Sequence, residues 1–158
     1  MKSIAPKLFG TLACLLPAMA CAQTGGDEFF SDCPAFSVAE STSLHWESIR
    51  APDMLFCRAL RNDGSEAFAL TFSRESPFSP QRSDRAEVSD LKDQRVQWYR
   101  GSIVTDRDAL VREALIDFGD GHVLHITMRA DDAPTLARQQ RDVLALPFPR
   151  QQQLAKGN

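Results

Sequence analysis

Two of the four cysteines have the spacing of a covalent link rather than of a reactive site. Cys33 and Cys57 enclose a loop of about 25 residues, a length that a disulfide closes with a stabilisation of roughly 3.5 kcal/mol on the chain-entropy model. Metal ligation or redox catalysis would require a neighbouring cysteine pair or a C-x-x-C spacing, and neither accompanies them. We therefore expect a structural disulfide between Cys33 and Cys57 in the oxidising compartment to which the predicted signal peptide, described below, would send the chain.

Three histidines are the candidates for acid-base chemistry or metal binding, namely His45, His122 and His125. His122 and His125 differ by three positions, so a strand would place them on opposite faces and they could not chelate one ion. Neither H-E-x-x-H nor G-x-S-x-G occurs to orient a metal or a nucleophile. We expect no metal site, no cofactor and no catalytic residue among them.

Two short motifs match known catalytic signatures but lack the required context. Residues 117–119 spell the D-F-G tripeptide of protein kinases, without a Gly-rich loop or an H-R-D segment. Residues 89–92 have the S-x-x-K spacing of penicillin-recognising serine enzymes, without S-D-N or K-T-G partners. We interpret the first as a strand end followed by a turn, and the second as a turn between strands.

Aromatic and arginine side chains provide a candidate recognition surface, because Trp, Tyr and Arg dominate binding hot spots. The alternative role for the tryptophans is core packing, where most aromatic area in a small domain is used. The loop 74–85, rich in serine, proline and arginine, is a second candidate because loops of about a dozen residues often carry function. The residues of the candidate recognition surface are Trp46, Arg58, Trp98, Tyr99 and Arg100.

Residues 1–22 have the organisation of a secretory signal peptide. Lys2 and Lys7 form a positively charged start, and the apolar run 8–16 is too short to span a bilayer as a helix. A proline and a series of small residues follow, as at a cleavage site. The chain is therefore predicted to be exported, to the periplasm or the extracellular space.

Three cleavage points are compatible with the small residues: after Ala20, after Ala22, or before Cys21, as in lipoproteins. A cut after Ala22, or lipidation of Cys21, leaves the two downstream cysteines as an even pair. A cut after Ala20 leaves an odd free thiol, which is uncommon in an oxidising compartment. We expect the mature chain to begin at Gln23, with membrane anchoring through Cys21 as the alternative.

Length and charge indicate one small soluble domain that does not bind nucleic acid. The mature chain of about 136 residues is the size of a single domain. Loss of Lys2 and Lys7 would lower the basic residues from 18 to 16, against 21 acidic ones, whereas phosphate binding requires concentrated positive charge. We predict a flexible tether at 23–32, a globular domain at 33–149 and a disordered tail at 150–158.

Alternating apolar residues and turn signals predict an antiparallel sheet built as a meander of hairpins. The first hairpin carries an Asp-Gly turn, and in the second Trp98 and Arg100 share one face while Tyr99 takes the other. Apolar residues between Phe36 and Ile49 fit either a short strand or a helical turn, and periodicity does not separate them. We expect about five strands. The strand candidates are 54–60, 66–73, 86–90, 95–104, 109–118 and 122–129.

The last element changes to a helical period. Asp131 or Asp132 can cap a helix with Pro134 in its first turn, and an apolar stripe continues to Leu144. Such a stripe must cover an apolar surface, and only the sheet offers one. The predicted fold class is α+β, a two-layer sandwich with a C-terminal helix on one face of the sheet.

Export, small size and the absence of a catalytic constellation favour a non-enzymatic envelope factor that binds another protein, such as an inhibitor, an immunity-type factor or an assembly accessory. An alternative is a small envelope hydrolase that uses carboxylates such as Glu40, Glu47 or Glu113. A second alternative is a carrier of a lipid or small ligand, which would need a cavity between helix and sheet. Two carboxyls that face each other in a cleft would favour the hydrolase, and a large apolar void would favour the carrier. A closed core with an exposed aromatic patch would favour the binding factor.

Overall fold

The structure, a computed structural model, describes residues 31–37, 39–76, 78–91, 94–103, 106–119 and 121–148. The predicted signal peptide, Cys21, the tail 150–158 and all but the last two residues of the tether lie outside these ranges. None of the helices in the described ranges has the length and apolar character needed to cross a membrane.

The described chain forms one antiparallel sheet of seven strands and one long helix, in the spatial order β1-β2-β3-β7-β6-β5-β4. Helix α1 spans Ala133–Ala145, and short 3-10 turns occupy Glu40–Thr42 and Arg82–Asp84. The α+β class is therefore confirmed. The strands are β1 Leu44–Ala51, β2 Met54–Arg61, β3 Glu66–Ser73, β4 Arg85–Leu91, β5 Gln94–Ile103, β6 Asp106–Asp117 and β7 Val123–Ala130.

The prediction of about five strands was too low. All three predicted hairpins form, and the stretch that periodicity left open contains a seventh strand, β1. β1 lies at the edge of the sheet and exposes five of its eight residues, so it has little of the apolar alternation that marks a half-buried strand. The sheet is also not a single meander, because β3 pairs with β7 at its centre.

This topology explains the length of the loop between β3 and β4. β3 lies near the middle of the sheet and β4 at the far edge, with β7, β6 and β5 between them. At about 4.8 Å per strand, the connection must cross roughly 19 Å of sheet. We call residues 74–84 the crossover. Its Phe78 contacts the face of the sheet that α1 does not cover.

The face of the sheet that packs against α1, called the inner face, holds the core. Cys57, Leu70, Ile126 and Ala114 lie opposite one another on successive strands, and all are fully buried. The alternation predicted for the third hairpin is confirmed, since its inward residues Ala114, Ile116, Leu124, Ile126 and Met128 are all at most 5% exposed.

Helix α1 covers this layer. The Asp132 carboxylate accepts a hydrogen bond from the Thr135 backbone N–H at 2.7 Å, which selects Asp132 over Asp131 as the N-cap. The buried positions are Leu136, Gln139 and Val143, spaced three and four residues apart. Gln139 is buried although polar, and its amide donates to the Arg129 carbonyl at the end of β7.

The N-terminal segment 31–37 is tied to the β1–β2 end of the inner face. Cys33 forms the predicted disulfide with Cys57 of β2. Phe36 stacks on Trp46 with ring centroids 4.4 Å apart, and the Trp46 indole N–H donates to the Pro34 carbonyl at 2.7 Å. The segment therefore extends the inner layer beyond the reach of the single helix.

Candidate functional site

The two tryptophans of the predicted recognition surface lie on the inner face. Trp98 is fully buried in the core, where its indole N–H donates to the Ser89 hydroxyl at 2.9 Å. A side chain with no exposed surface cannot contact a partner, so Trp98 does not belong to a recognition surface. Trp46 is partly buried beneath Phe36 and packs edge-on against Phe68.

The other three predicted residues are more accessible but do not adjoin one another. Arg58 lies on the outer face of β2, and Tyr99 lies on the outer face of β5, roughly 19 Å away across three intervening strands. Arg100 is exposed, alternates with Tyr99 and donates to the Ser83 carbonyl of the crossover at 3.1 Å. The five predicted residues therefore do not form one surface.

A polar cluster that sequence reasoning missed occupies the middle of the outer face. His125 is on β7, the central strand, and its Nε2 lies 2.9 Å from Oε2 of Glu113 on β6. The His125 and Glu113 side chains retain only 10% and 22% of their accessible surface. The two residues are 12 positions apart in the sequence. Strand alternation predicts that each points to the outer face, but it does not predict that they contact each other.

The crossover closes over this pair through one aromatic ring. Phe78 stacks on the His125 imidazole with centroids 5.1 Å apart and planes inclined by 12°, and it meets Tyr99 edge-on at 5.6 Å. Phe78 is the only large apolar residue of the crossover, whose other residues on both sides of it are mostly exposed. We call Phe78, Tyr99, Glu113 and His125 the outer-face cluster.

Gly101 makes room for the Glu113 carboxylate. A Cβ atom at this position would lie 2.6 Å from Glu113 Oε1 and 2.6 Å from Cγ1 of Val111, closer than real Cβ contacts come. The carboxylate thus rests against bare backbone on β5 while its other oxygen reaches His125. A glycine within a strand often marks such a close approach.

The residues that surround the His125 imidazole limit the reactions that the outer-face cluster could catalyse. A histidine paired with a carboxylate can act as a general base, provided that a substrate comes within hydrogen-bond distance of the imidazole. Here the Phe78 ring lies against one face of the imidazole and Glu113 holds Nε2. The three carboxylates considered for a hydrolase have separate partners: Glu40 accepts from the Ser37 N–H, Glu47 pairs with Arg58, and Glu113 pairs with His125.

The two edges of the sheet differ in regularity. All eight residues of β1 pair one-to-one with β2, without a bulge, and no described strand pairs with the other side of β1. At the opposite edge the register of β4 shifts between Arg85 and Val88, and the Gln97 amide donates to the carbonyls of Ala86 and Glu87 at this bulge. Bulges discourage pairing with a further strand, whereas a regular edge presents a row of open backbone groups.

Among the described residues, the most exposed large apolar side chain is Ile49, which lies on the outer face beside the β1 edge. Ile49 is 57% exposed and lies opposite the half-buried Phe56 on β2, with Met54 exposed one position further along that face. We call Ile49, Met54 and Phe56 the outer patch.

The outer patch borders a small charged network. Arg58 bridges the carboxylates of Glu47 and Glu66 at 2.7 and 2.8 Å. The hydrogen bond and charge of Glu66, followed by those of Glu47, raise the pKa of the Arg58 guanidinium. Two carboxylates share one guanidinium, so the side chains of Glu47, Arg58 and Glu66 together carry an excess of negative charge.

In the described part of the chain, no group of three or more His, Cys, Asp or Glu side chains could hold a metal ion. No protein-family model matches the sequence, and neither the curated proteins nor the solved structures contain a match.

Proposed function

We propose that this chain is an exported, non-enzymatic factor that binds another protein by accepting an extended segment of it along the edge of β1. The observation that carries the proposal is the regular, eight-residue edge of β1 beside the outer patch. Strand addition draws affinity from backbone hydrogen bonds and specificity from side chains that alternate over the neighbouring face. The β1 edge supplies the backbone hydrogen bonds, and the outer patch supplies the side-chain contacts.

The composition of the partner segment follows from the same corner of the molecule. Ile49 and Phe56 offer apolar contact, while Glu47 and Glu66 share the single guanidinium of Arg58. We therefore expect a segment that presents apolar and basic side chains toward the outer face. Neutralising the excess carboxylate charge would favour correct partners and speed association.

A disulfide on the inner face and a predicted signal peptide support function outside the cytoplasm. The described core supports a binding role over that of a lipid carrier, because its largest side chains, including Phe68 and Trp98, are fully buried. Among the described residues, the large apolar side chains left exposed are Ile49, Met54 and Val88, and they lie on the outer face, where a partner can reach them.

The two sheet edges offer a matched test, since each carries one exposed aliphatic residue. Ile49→Lys places a charge beside the regular edge, and Val88→Lys makes the same change beside the bulged edge, at a residue that is 45% exposed. The oxidised protein and both variants would be used to capture partners from the host's own extracellular or envelope fraction. We expect one protein to be captured by the parent and by Val88→Lys but not by Ile49→Lys.

A second pair of variants tests backbone pairing directly. In an antiparallel edge strand the N–H groups alternate between the neighbouring strand and solvent, so one of Ser48 and Ile49 has its N–H on the open side. Proline is tolerated at such a position. Of Ser48→Pro and Ile49→Pro, the variant that keeps the parental melting temperature should lose the partner.

Hydrogen exchange of the complex provides the structural readout, with slowed exchange expected for the open-side amides of β1. Capture that survives both Ile49→Lys and the folded proline variant would exclude the β1 edge. If the purified parent forms a dimer and Ile49→Lys does not, the β1 edge pairs with a second copy of this chain. That result would overturn the proposal of a different protein as the partner.

A further inference from the structure

A cavity of about 470 Å³ opens between the start of β1, the β2–β3 turn and helix α1. Its volume lies in the range of small-molecule sites. Leu44 and Ala67 supply apolar wall, and charged side chains of both signs line the rest. The charged residues are Arg61 and Asp63 on the turn side and Arg138 and Asp142 on the helix side.

The charges on the turn side are already used to build the turn. Asp63 accepts hydrogen bonds from the Ser65 backbone N–H at 2.9 Å and from its hydroxyl at 2.6 Å. Arg61 donates to the Ser65 hydroxyl and to the Glu66 carbonyl through Nη1. These contacts fix the turn wall and hold one guanidinium at the mouth of the cavity.

The charges on the helix side have no such structural use. Among the described residues, neither the Arg138 guanidinium nor the Asp142 carboxylate makes a hydrogen bond or an ion pair within 4.0 Å. Burial, followed by the charge of Glu40, raises the pKa of the Asp142 carboxyl despite the opposing effect of nearby arginines. Asp142 is half-buried and Arg138 is exposed at the mouth of the cavity, so a ligand that enters the cavity can reach both charges.

We infer that this cavity binds a small zwitterion of the amino-acid class. The ligand's ammonium group pairs with Asp142, its carboxylate pairs with Arg138 and Arg61, and its side chain lies on Leu44 and Ala67. Arg138 and Asp142 are one helical turn apart, about 6 Å between Cβ atoms, so one molecule carrying both charges on a single carbon can reach both. The site lies at the start of β1 on the inner side of the sheet, whereas the outer patch proposed for strand addition lies on the opposite face.

Titration of the oxidised protein, followed by amide chemical shifts, tests the pairing of both charges. The probes are L-leucine, N-acetyl-L-leucine, which lacks the ammonium, and L-leucinamide, which lacks the carboxylate. We expect L-leucine to bind and to shift residues around the cavity, and each derivative to bind at least about tenfold more weakly, as loss of one ion pair implies.

Substitutions then assign the two charges. Asp142→Asn should weaken the binding of L-leucine about tenfold and affect the binding of N-acetyl-L-leucine little. Arg138→Gln should likewise weaken the binding of L-leucine and affect the binding of L-leucinamide little. Arg95→Gln is the control, because Arg95 is exposed on β5, across the sheet from the cavity, and does not line it. No shift with L-leucine at millimolar concentration, or equal binding of all three probes, would overturn the inference.

Discussion

The inner face of the sheet is covered by helix α1 and by the disulfide-linked segment 31–37, whereas the outer face is crossed by one loop that contacts it through Phe78. Residues that alternate along the same strands therefore have different roles. Trp98 is fully buried in the core, and its neighbour Tyr99 is half-buried beside Phe78. The inner face therefore stabilises the fold, and the outer face remains available for binding.

The largest expected effect tests this separation at two adjacent residues. Trp98→Ala removes a fully buried indole and leaves a cavity, which should lower the free energy of unfolding by about 3–5 kcal/mol. Tyr99→Ala removes a half-buried ring whose aromatic contact is Phe78, and should cost about 1 kcal/mol. Urea denaturation of both variants measures the contrast, and similar losses would mean that the outer face supports the fold as strongly as the core.

The disulfide gives the next largest effect, because it attaches segment 31–37 to the inner face. The Cys33→Ser, Cys57→Ser double variant should lose roughly 3.5 kcal/mol of stability through the entropy of its unfolded chain. The parent should lose a similar amount in reductant, and the double variant should be insensitive to reductant. A parent that keeps its full stability when reduced would show that the Phe36–Trp46 stack holds the segment without the bond.

Much of the inner face was predictable from the sequence, and the reason is physical. Burial on one side forces apolar residues into alternation, so Ile116, Leu124 and Ile126 identify their strands without further information. The spacing and parity of two cysteines likewise identified their bridge, and Asp132 fitted the preference of a helix N-cap.

The outer face could not be predicted in the same way, because its contacts depend on topology. His125 meets Glu113 and Phe78 only after β7 has paired with β6 and the crossover has spanned four strand spacings. The β1 edge was left undecided for a related reason, since a strand paired on one side and exposed on both faces has weak periodicity. Residue types alone suggested a surface from Trp46, Arg58, Trp98, Tyr99 and Arg100, which the sheet distributes over two faces.

A smaller effect is expected at Gly101, where the outer face is tightly packed. Gly101→Ala brings a methyl group against Glu113 Oε1 and Val111, so the carboxylate must move away from His125. Overpacking of this kind should cost about 1–3 kcal/mol. The same substitution in a Glu113→Ala background should cost less, because one of the two crowded atoms is gone, and equal costs would show that Val111 alone resists the methyl group.

The smallest effect concerns the polar end of the inner face, where Glu87 of β4 accepts hydrogen bonds from Arg112 and from Gln140 of α1. Partial burial would raise the pKa of the Glu87 carboxyl, but the hydrogen bonds of Gln140 and Arg112 outweigh it and lower the pKa below its ordinary value of 4.5. Because the folded pKa is the lower one, the ionised carboxylate stabilises the fold above about pH 4.5, and this contribution is lost as the pH falls through the folded pKa.

Glu87→Gln should therefore be less stable than the parent at pH 7, and the difference should shrink as the pH is lowered from 5 to 3. Gln140→Ala removes one of the two groups that donate to Glu87. The stability that this variant loses relative to the parent should also shrink as the pH falls, but by less than for Glu87→Gln. Urea denaturation at several pH values measures both. A difference between Glu87→Gln and the parent that stays constant across this range would show that Glu87 joins helix to sheet by its shape and hydrogen bonds, and that its charge adds nothing to the stability of the inner face.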